Sequence, residues 1–163
     1  MFCRAFVTIA LICAIPSAYS YSAGAPSAAC EDMVPQHHVD PQRSTPPYKM
    51  LLSSKGDTVH VKIQGNSAGD TIKGFMIQAR KDGKPIGKFE VPTEFRKHAQ
   101  PLTCSGPADA LTHKKIFANG PNKIEADWTP PPGFKGDVKF VATVALNGGI
   151  FWVQAINEPM SIA

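Results

Sequence analysis

The stretch "DVKFVATVALNGGIFWVQ", residues 137–154, sets two apolar runs on either side of Asn147-Gly148-Gly149. Valine, isoleucine and aromatic residues suit a pleated, half-buried surface, and Asn-Gly is the strongest short signal for a turn between antiparallel strands. The stretch therefore reads as a β-hairpin. Apolar residues fall on both alternating phases, which predicts strands covered on both faces and a central place in a sheet.

The same period of two recurs toward the amino terminus, and helical stripes are hard to find. "KIEADW", residues 123–128, alternates Ile124, Ala126 and Trp128. The prolines of "TPPPGFKG" stop it, because proline fixes its own φ and cannot donate to a ladder. "GFMIQAR", residues 74–80, turns Phe75, Ile77 and Ala79 inward and runs through Asp82-Gly83 into "IGKFEV", so residues 71–91 read as a second hairpin. "DTVHVKIQG", residues 57–65, alternates Val59, Val61 and Ile63 against His60, Lys62 and Gln64. Six or seven short strands with turn signals between them predict an all-β, antiparallel β-sandwich with little helix. The core is expected over about 24–155, with "NEPMSIA" as a short flexible tail. No internal repeat is visible.

The amino terminus is of another kind. Arg4, the apolar run Ala5–Ile15 and the small residues Ala18 and Ser20 match a secretory signal peptide, which assigns residues 1–20 to targeting and begins the mature chain near Tyr21. That run is shorter than the roughly 20 apolar residues of a membrane span, and no later stretch reaches that length. Cleavage would remove Cys3 and Cys13 and leave Cys30 and Cys104, which in an oxidising compartment most simply form one disulfide. The remaining 143 residues are one domain's worth. The formal charge is +4, or +3 without Arg4. That is a mild bias toward anionic partners and too little for a nucleic-acid footprint. No Asn-x-Ser/Thr acceptor occurs, so N-glycosylation is not expected.

In order along the chain, "GAPSAACEDMVPQH" (24–37), "PQRSTPPY" (41–48), "IKGFMIQAR" (72–80), "LTHKK" (111–115), "ADWTPP" (126–131) and "VKFVATVALNGGIFWV" (138–153) together resemble the reeler domain. The resemblance spans nearly all of the mature chain. It implies an immunoglobulin-like antiparallel β-sandwich with one disulfide tying the amino-terminal segment to the body, here Cys30 to Cys104. A secreted chain with a single such domain is most similar to the small, infection-induced defence proteins of insects. That likeness implies a haemolymph protein that binds microbial lipopolysaccharide, glucan or related surface polymers, with haemocyte nodulation as an outcome.

Candidate chemistry is sparse. His37-His38 with Glu31, Asp32 or Asp40 has the residue types of a zinc or copper site, but neighbouring side chains of an extended chain point to opposite sides. The resemblance makes this segment structural instead, so no metal and no cofactor are expected. Ser105 with His98 or His113 is the only nucleophile–base grouping near a loop, and no nucleophile elbow frames it. Glu90, Glu94 and Asp109 show no spacing suited to paired-carboxylate hydrolysis, and no enzyme activity is expected.

Binding remains. Basic residues gather at Arg80, Lys81 and Lys84, at Arg96-Lys97-His98 and at His113-Lys114-Lys115. The last two groups flank Cys104, and a disulfide there would hold them near the amino-terminal segment. Arg96, Lys97, His113, Lys114 and Lys115 thus form the candidate cationic surface for phosphate or acidic glycan. Trp128, Phe140, Phe151 and Trp152 are candidates either for a stacking pocket or, as their strand settings favour, for the core. The main alternative to microbial recognition is a matrix or adhesion module that binds host glycosaminoglycan or a protein through the same loops.

Overall fold

The structure is a computed structural model that describes residues 21–163. The expected signal peptide, with Cys3 and Cys13, lies outside the described residues. Among the described residues ten strands form two antiparallel sheets. The first sheet has the order β1 (Tyr48–Lys55), β2 (Thr58–Gly65), β8 (Lys123–Thr129), β5 (Lys88–Glu90). The second has the order β10 (Ile150–Ile162), β9 (Gly136–Asn147), β3 (Gly74–Lys81), β7 (Ala110–His113), β6 (Ala99–Leu102), with β4 (Lys84–Pro85) also paired to β3.

The inward phase of each strand fills the space between the sheets. Val59, Val61 and Ile63 of β2 meet Phe75, Ile77 and Ala79 of β3, with Trp128, Phe140 and Trp152 as the bulk of the core. The rings of Trp128 and Phe140 pack edge to face with centroids 5.2 Å apart. Trp128 also donates from Nε1 to the Ile86 carbonyl at 2.9 Å, so its one polar atom is satisfied. All four candidate aromatics are buried: Trp152 packs between the sheets against Tyr48, and Phe151 lies on the other face beneath His37.

Three differences from the sequence reading have physical causes. The expected 71–91 hairpin is only a two-residue ladder, Arg80↔Pro85 and Lys81↔Lys84, around an Asp82-Gly83 turn with both φ positive. The last bond of the ladder runs from the Ile86 N–H to the Ala79 carbonyl at 2.9 Å, and the chain then crosses to the other sheet as β5. Gly87 makes that crossing possible: its φ is +74°, and a Cβ there would stand 2.4 Å from Trp128 Nε1. The expected flexible tail is strand instead, because β10 pairs with β9 down to Ile162↔Gly136. Lastly, β9 is central as expected but β10 is an edge strand, and its irregular register from Trp152 to Ile156 bends it along the sheet.

The outer face of the second sheet is also covered. Residues 21–47 run across it, and a second small core joins Ala29 and Met33 to Met76, Ala110 and Val141. Cys30 and Cys104 form the expected disulfide, closing a separation of 74 residues. Gln78, fully buried on this face, donates from Nε2 to the Cys30 carbonyl at 3.0 Å and accepts from Arg80 Nε at 2.7 Å.

Two stability outcomes follow. Replacing both cysteines by serine should lower the unfolding free energy by up to roughly 4 kcal/mol, the loop-closure entropy for a loop of this length, read as a lower denaturant midpoint. Gln78→Leu should cost about 1–3 kcal/mol, because it strands the buried partners of the amide. A Gln78→Leu protein as stable as its parent would show that the cover is not fixed by this side chain.

Candidate functional site

Between the amino-terminal segment and the outer face of the second sheet lies an open cleft of about 540 Å³. The segment that roofs it is held at several points along its length. The Ala25 N–H donates to Thr112 Oγ1 at 2.9 Å, Gln100 Nε2 to the Ala23 carbonyl at 2.7 Å and His113 Nε2 to the Tyr21 carbonyl at 2.9 Å. Farther along, Thr143 Oγ1 donates to the Met33 carbonyl at 2.9 Å, Gln154 Nε2 to the Asp32 carbonyl at 2.8 Å, and the Gln42 N–H to the Phe151 carbonyl at 2.8 Å.

The floor is apolar and buried: Ala29, Met33, Met76 and Ala145, with Gly74 opposite Ala145 leaving the sheet hollow. The mouth is ringed by Tyr21, Gln36, His38, Lys73, Ile116 and Asn147. Tyr21 and Ile116 are each 40 % exposed, so the apolar surface continues out of the cleft. No carboxylate is among the lining residues.

Four of the five candidate basic residues lie together at one end of the β6–β7 hairpin, and the fifth, His113, is buried. The β6–β7 ladder pairs Ala99 with His113, and the Lys114 N–H donates to the His98 carbonyl at 2.8 Å, so Arg96-Lys97 and Lys114-Lys115 emerge side by side. All four side chains are exposed, and none makes an ion pair among the described residues. His113, expected in this surface, is buried at 8 % exposure, with Nε2 on the Tyr21 carbonyl and its ring tilted against Phe75. It anchors the segment and is not part of the exposed cluster. The disulfide does not hold the basic loops near that segment either. Cys104 lies past the opposite end of β6, about 10 Å of strand away. The link is made by Gln100 and His113.

The remaining candidates are dispersed. His37 packs edge-on against Phe151 and His38 is exposed with a φ of 56°, so the pair does not converge. Among the described residues no group of three or more His, Cys, Asp or Glu side chains is placed to hold a metal. Ser105 lies beyond the Cys104 end of the β6–β7 hairpin, whereas His98 and His113 lie at the other end. Asp109 is a loop clamp whose carboxylate accepts from the N–H groups of Cys104, Ser105 and Gly106 at 2.7–2.8 Å. On the outer face of the first sheet, in the outward phase of β2, His60 sits between Asp127 (2.9 Å) and Glu125 (3.3 Å), with Lys55 and Lys123 closing the network. A hydrogen bond from Lys123 is the main cause that holds Glu125 below the usual carboxylate range. Burial raises Asp127, but bonds from His60 and Lys55 outweigh it and leave its pKa lowered.

A disulfide-tied antiparallel sandwich whose second sheet is covered on its outer face by the amino-terminal segment defines the class of fold. Residues 28–163 match the Reeler domain family, and the chain belongs to it. The chain is 40 % identical over 162 residues to "Putative defense protein Hdd11" of Hyphantria cunea, with 96 % of this chain and 95 % of that protein covered. It is also 40 % identical over 157 residues to "Defense protein l(2)34Fc" of Drosophila melanogaster, covering 92 % and 94 %. These relatives support a role in defence. Among solved structures, the human F-spondin reeler domain superposes with a TM-score of 0.58 over 76 % of this chain and 94 % of that one, at 13 % identity, which shows the shared fold.

Burial, then the nearby His113 and His38, hold His37 below the ordinary value of 6.5; burial, then Lys97, do the same for His98. The unfolded chain takes up protons at these sites near pH 6.5 that the folded chain resists, so the stability present above 6.5 is lost as pH falls from that value through the lower folded ones. NMR titration should place both imidazoles below 6.5. Values at or above it would show that neither ring is desolvated in solution.

Proposed function

We propose that this chain is a secreted innate-immune protein of the haemolymph that binds microbial surface components, lipopolysaccharide or related anionic polymers and glucans, and so promotes nodulation and an antimicrobial response. The observation that carries this reading is the convergence of Arg96, Lys97, Lys114 and Lys115 at one end of the β6–β7 hairpin, exposed and without acidic partners among the described residues. Unpaired cations in one patch can neutralise several phosphates or acidic sugars at once, where the same charges spread singly would bind each only weakly. The defence-protein names of relatives aligned over nearly the whole chain support the setting. None of the described helices is long and apolar enough to cross a membrane. Capture of particles, without lysis by an inserted helix, is the mode of action this favours.

The test is co-sedimentation of the oxidised protein with whole bacteria and with insoluble glucan at low and high salt, beside a variant carrying Arg96→Gln, Lys97→Gln, Lys114→Gln and Lys115→Gln. Retention on bacteria should fall with salt, because screening weakens exposed charge contacts, and should drop several-fold in the variant at low salt. Retention by heparin beads alone, with none on any microbial particle, would move the assignment to a host matrix or adhesion module.

A further inference from the structure

We propose that the cleft beneath the amino-terminal segment binds one acyl chain bearing an anionic head group, with the chain on the Met33–Met76–Ala145 floor and the head group beside Lys73. The inference is independent of the particle-binding surface, which uses other residues.

Size is the first argument. A cleft of about 540 Å³ lies within the roughly 300–1,000 Å³ typical of small-molecule sites. It is several times the roughly 150 Å³ cavity that accepts benzene. The second argument is the lining. Ala25, Ala29, Met33, Met76 and Ala145 present little to hydrogen-bond a buried water, and ordered water needs two to four polar partners. Methionine side chains are flexible and polarisable, so Met33 and Met76 can mould to a chain without fixed shape. A segment that served only to cover the sheet could close this space with larger side chains, gaining the dispersion contacts that an apolar void forfeits.

Charge selects the head group. Among the described residues, Lys73 is the only permanently charged side chain that lines the cleft, no carboxylate opposes it, and it makes no ion pair. Exposed Tyr21 and Ile116 extend the apolar path to the mouth, beside Lys114 and Lys115. Backbone strain gathers at the same place. Met33 and His38 both line the cleft and both carry positive φ, 57° and 56°, a conformation that side-chain-bearing residues adopt at a cost and that collects at ligand sites. The second cavity offers no rival site. Its one buried charge, Asp109, is already saturated by three backbone N–H groups.

The experiment is calorimetric titration of the oxidised protein, secreted from the full-length chain, with octanoate, decanoate and dodecanoate below their micellar concentrations. A parallel arm uses lysophosphatidylglycerol of the same chain lengths. Saturable one-to-one binding should tighten about fourfold for each added methylene until the cleft is full. Ala25→Trp, which places an indole in the cleft at a partly exposed position, should weaken binding at least tenfold while leaving co-sedimentation with bacteria intact. Lys73→Gln should reduce the preference for dodecanoate over dodecanol several-fold without changing the chain-length dependence. Binding of the free acids alone identifies the ligand as a fatty acid, and binding of the lysolipids identifies it as a membrane or envelope lipid; either supports the proposal. Absence of saturable binding in both arms, an affinity indifferent to chain length, or an Ala25→Trp protein that folds and binds as well as its parent would overturn it.

Discussion

Gln78 is a polar side chain with no exposure, set on the outer face of a central strand. In an uncovered sheet it would face water, and no neighbour in the sheet would need to satisfy it. Here its amide donates to the Cys30 carbonyl and accepts from Arg80, whose guanidinium also donates to the Cys30 and Glu31 carbonyls at 3.0 and 2.7 Å. The amide and guanidinium therefore hold the segment at the point where the disulfide also pins it. Burying an unpaired amide or carbonyl is expensive, so cover and sheet specify each other. Everything on that face depends on this fixing: the second small core, the burial of Phe151 and the cleft itself.

The cover is fixed at points and free between them. Its attachments are chiefly side-chain hydrogen bonds, with one backbone bond from Gln42 to Phe151 and one disulfide, not a strand ladder, and much of its length from Glu31 to Thr45 is exposed. Segments held in this way open locally at lower free energy than the strands beneath them. The sandwich core between Trp128, Phe140 and the two inward strand faces does not share that freedom, because both sheets contribute to it. The more firmly and the less firmly held layers are thus supplied by different parts of the fold.

The sequence made the inner core legible and left the outer one obscure, for a reason visible in β3. Phe75, Ile77 and Ala79 announce an inward face by their period. Met76 and Gln78 occupy the other phase, where a methionine and a glutamine pass for ordinary solvent-facing residues, and only the long-range partner 48 residues away shows that they are buried. The short strands β6 and β7 escaped for a similar reason. Four-residue strands show too few alternations to establish a period, and the Pro101 within β6 argues against a ladder until one sees that β6 is an edge. The basic loops were legible as charges but not as neighbours, since their adjacency comes from the Ala99↔His113 pairing. The cleft left no local mark beyond the small residues Gly74 and Ala145, which meet only across paired strands.

His113 joins the two surfaces. Its backbone closes the β6–β7 ladder that brings Lys114 and Lys115 beside Arg96 and Lys97, and its ring holds the start of the cover through the Tyr21 carbonyl. The ring also forms part of the cleft wall. One buried residue thus sets both where the cations emerge and where the cleft opens. A polymer or lipid head group drawn to the lysines would stand next to Ile116 and Tyr21, at the apolar mouth. Charge attraction acts over about 8 Å in physiological salt, whereas apolar contact requires touching surfaces. Under the two proposals, each standing on its own residues, the cations would attract an anionic group at a distance and the cleft would take an acyl chain only on contact.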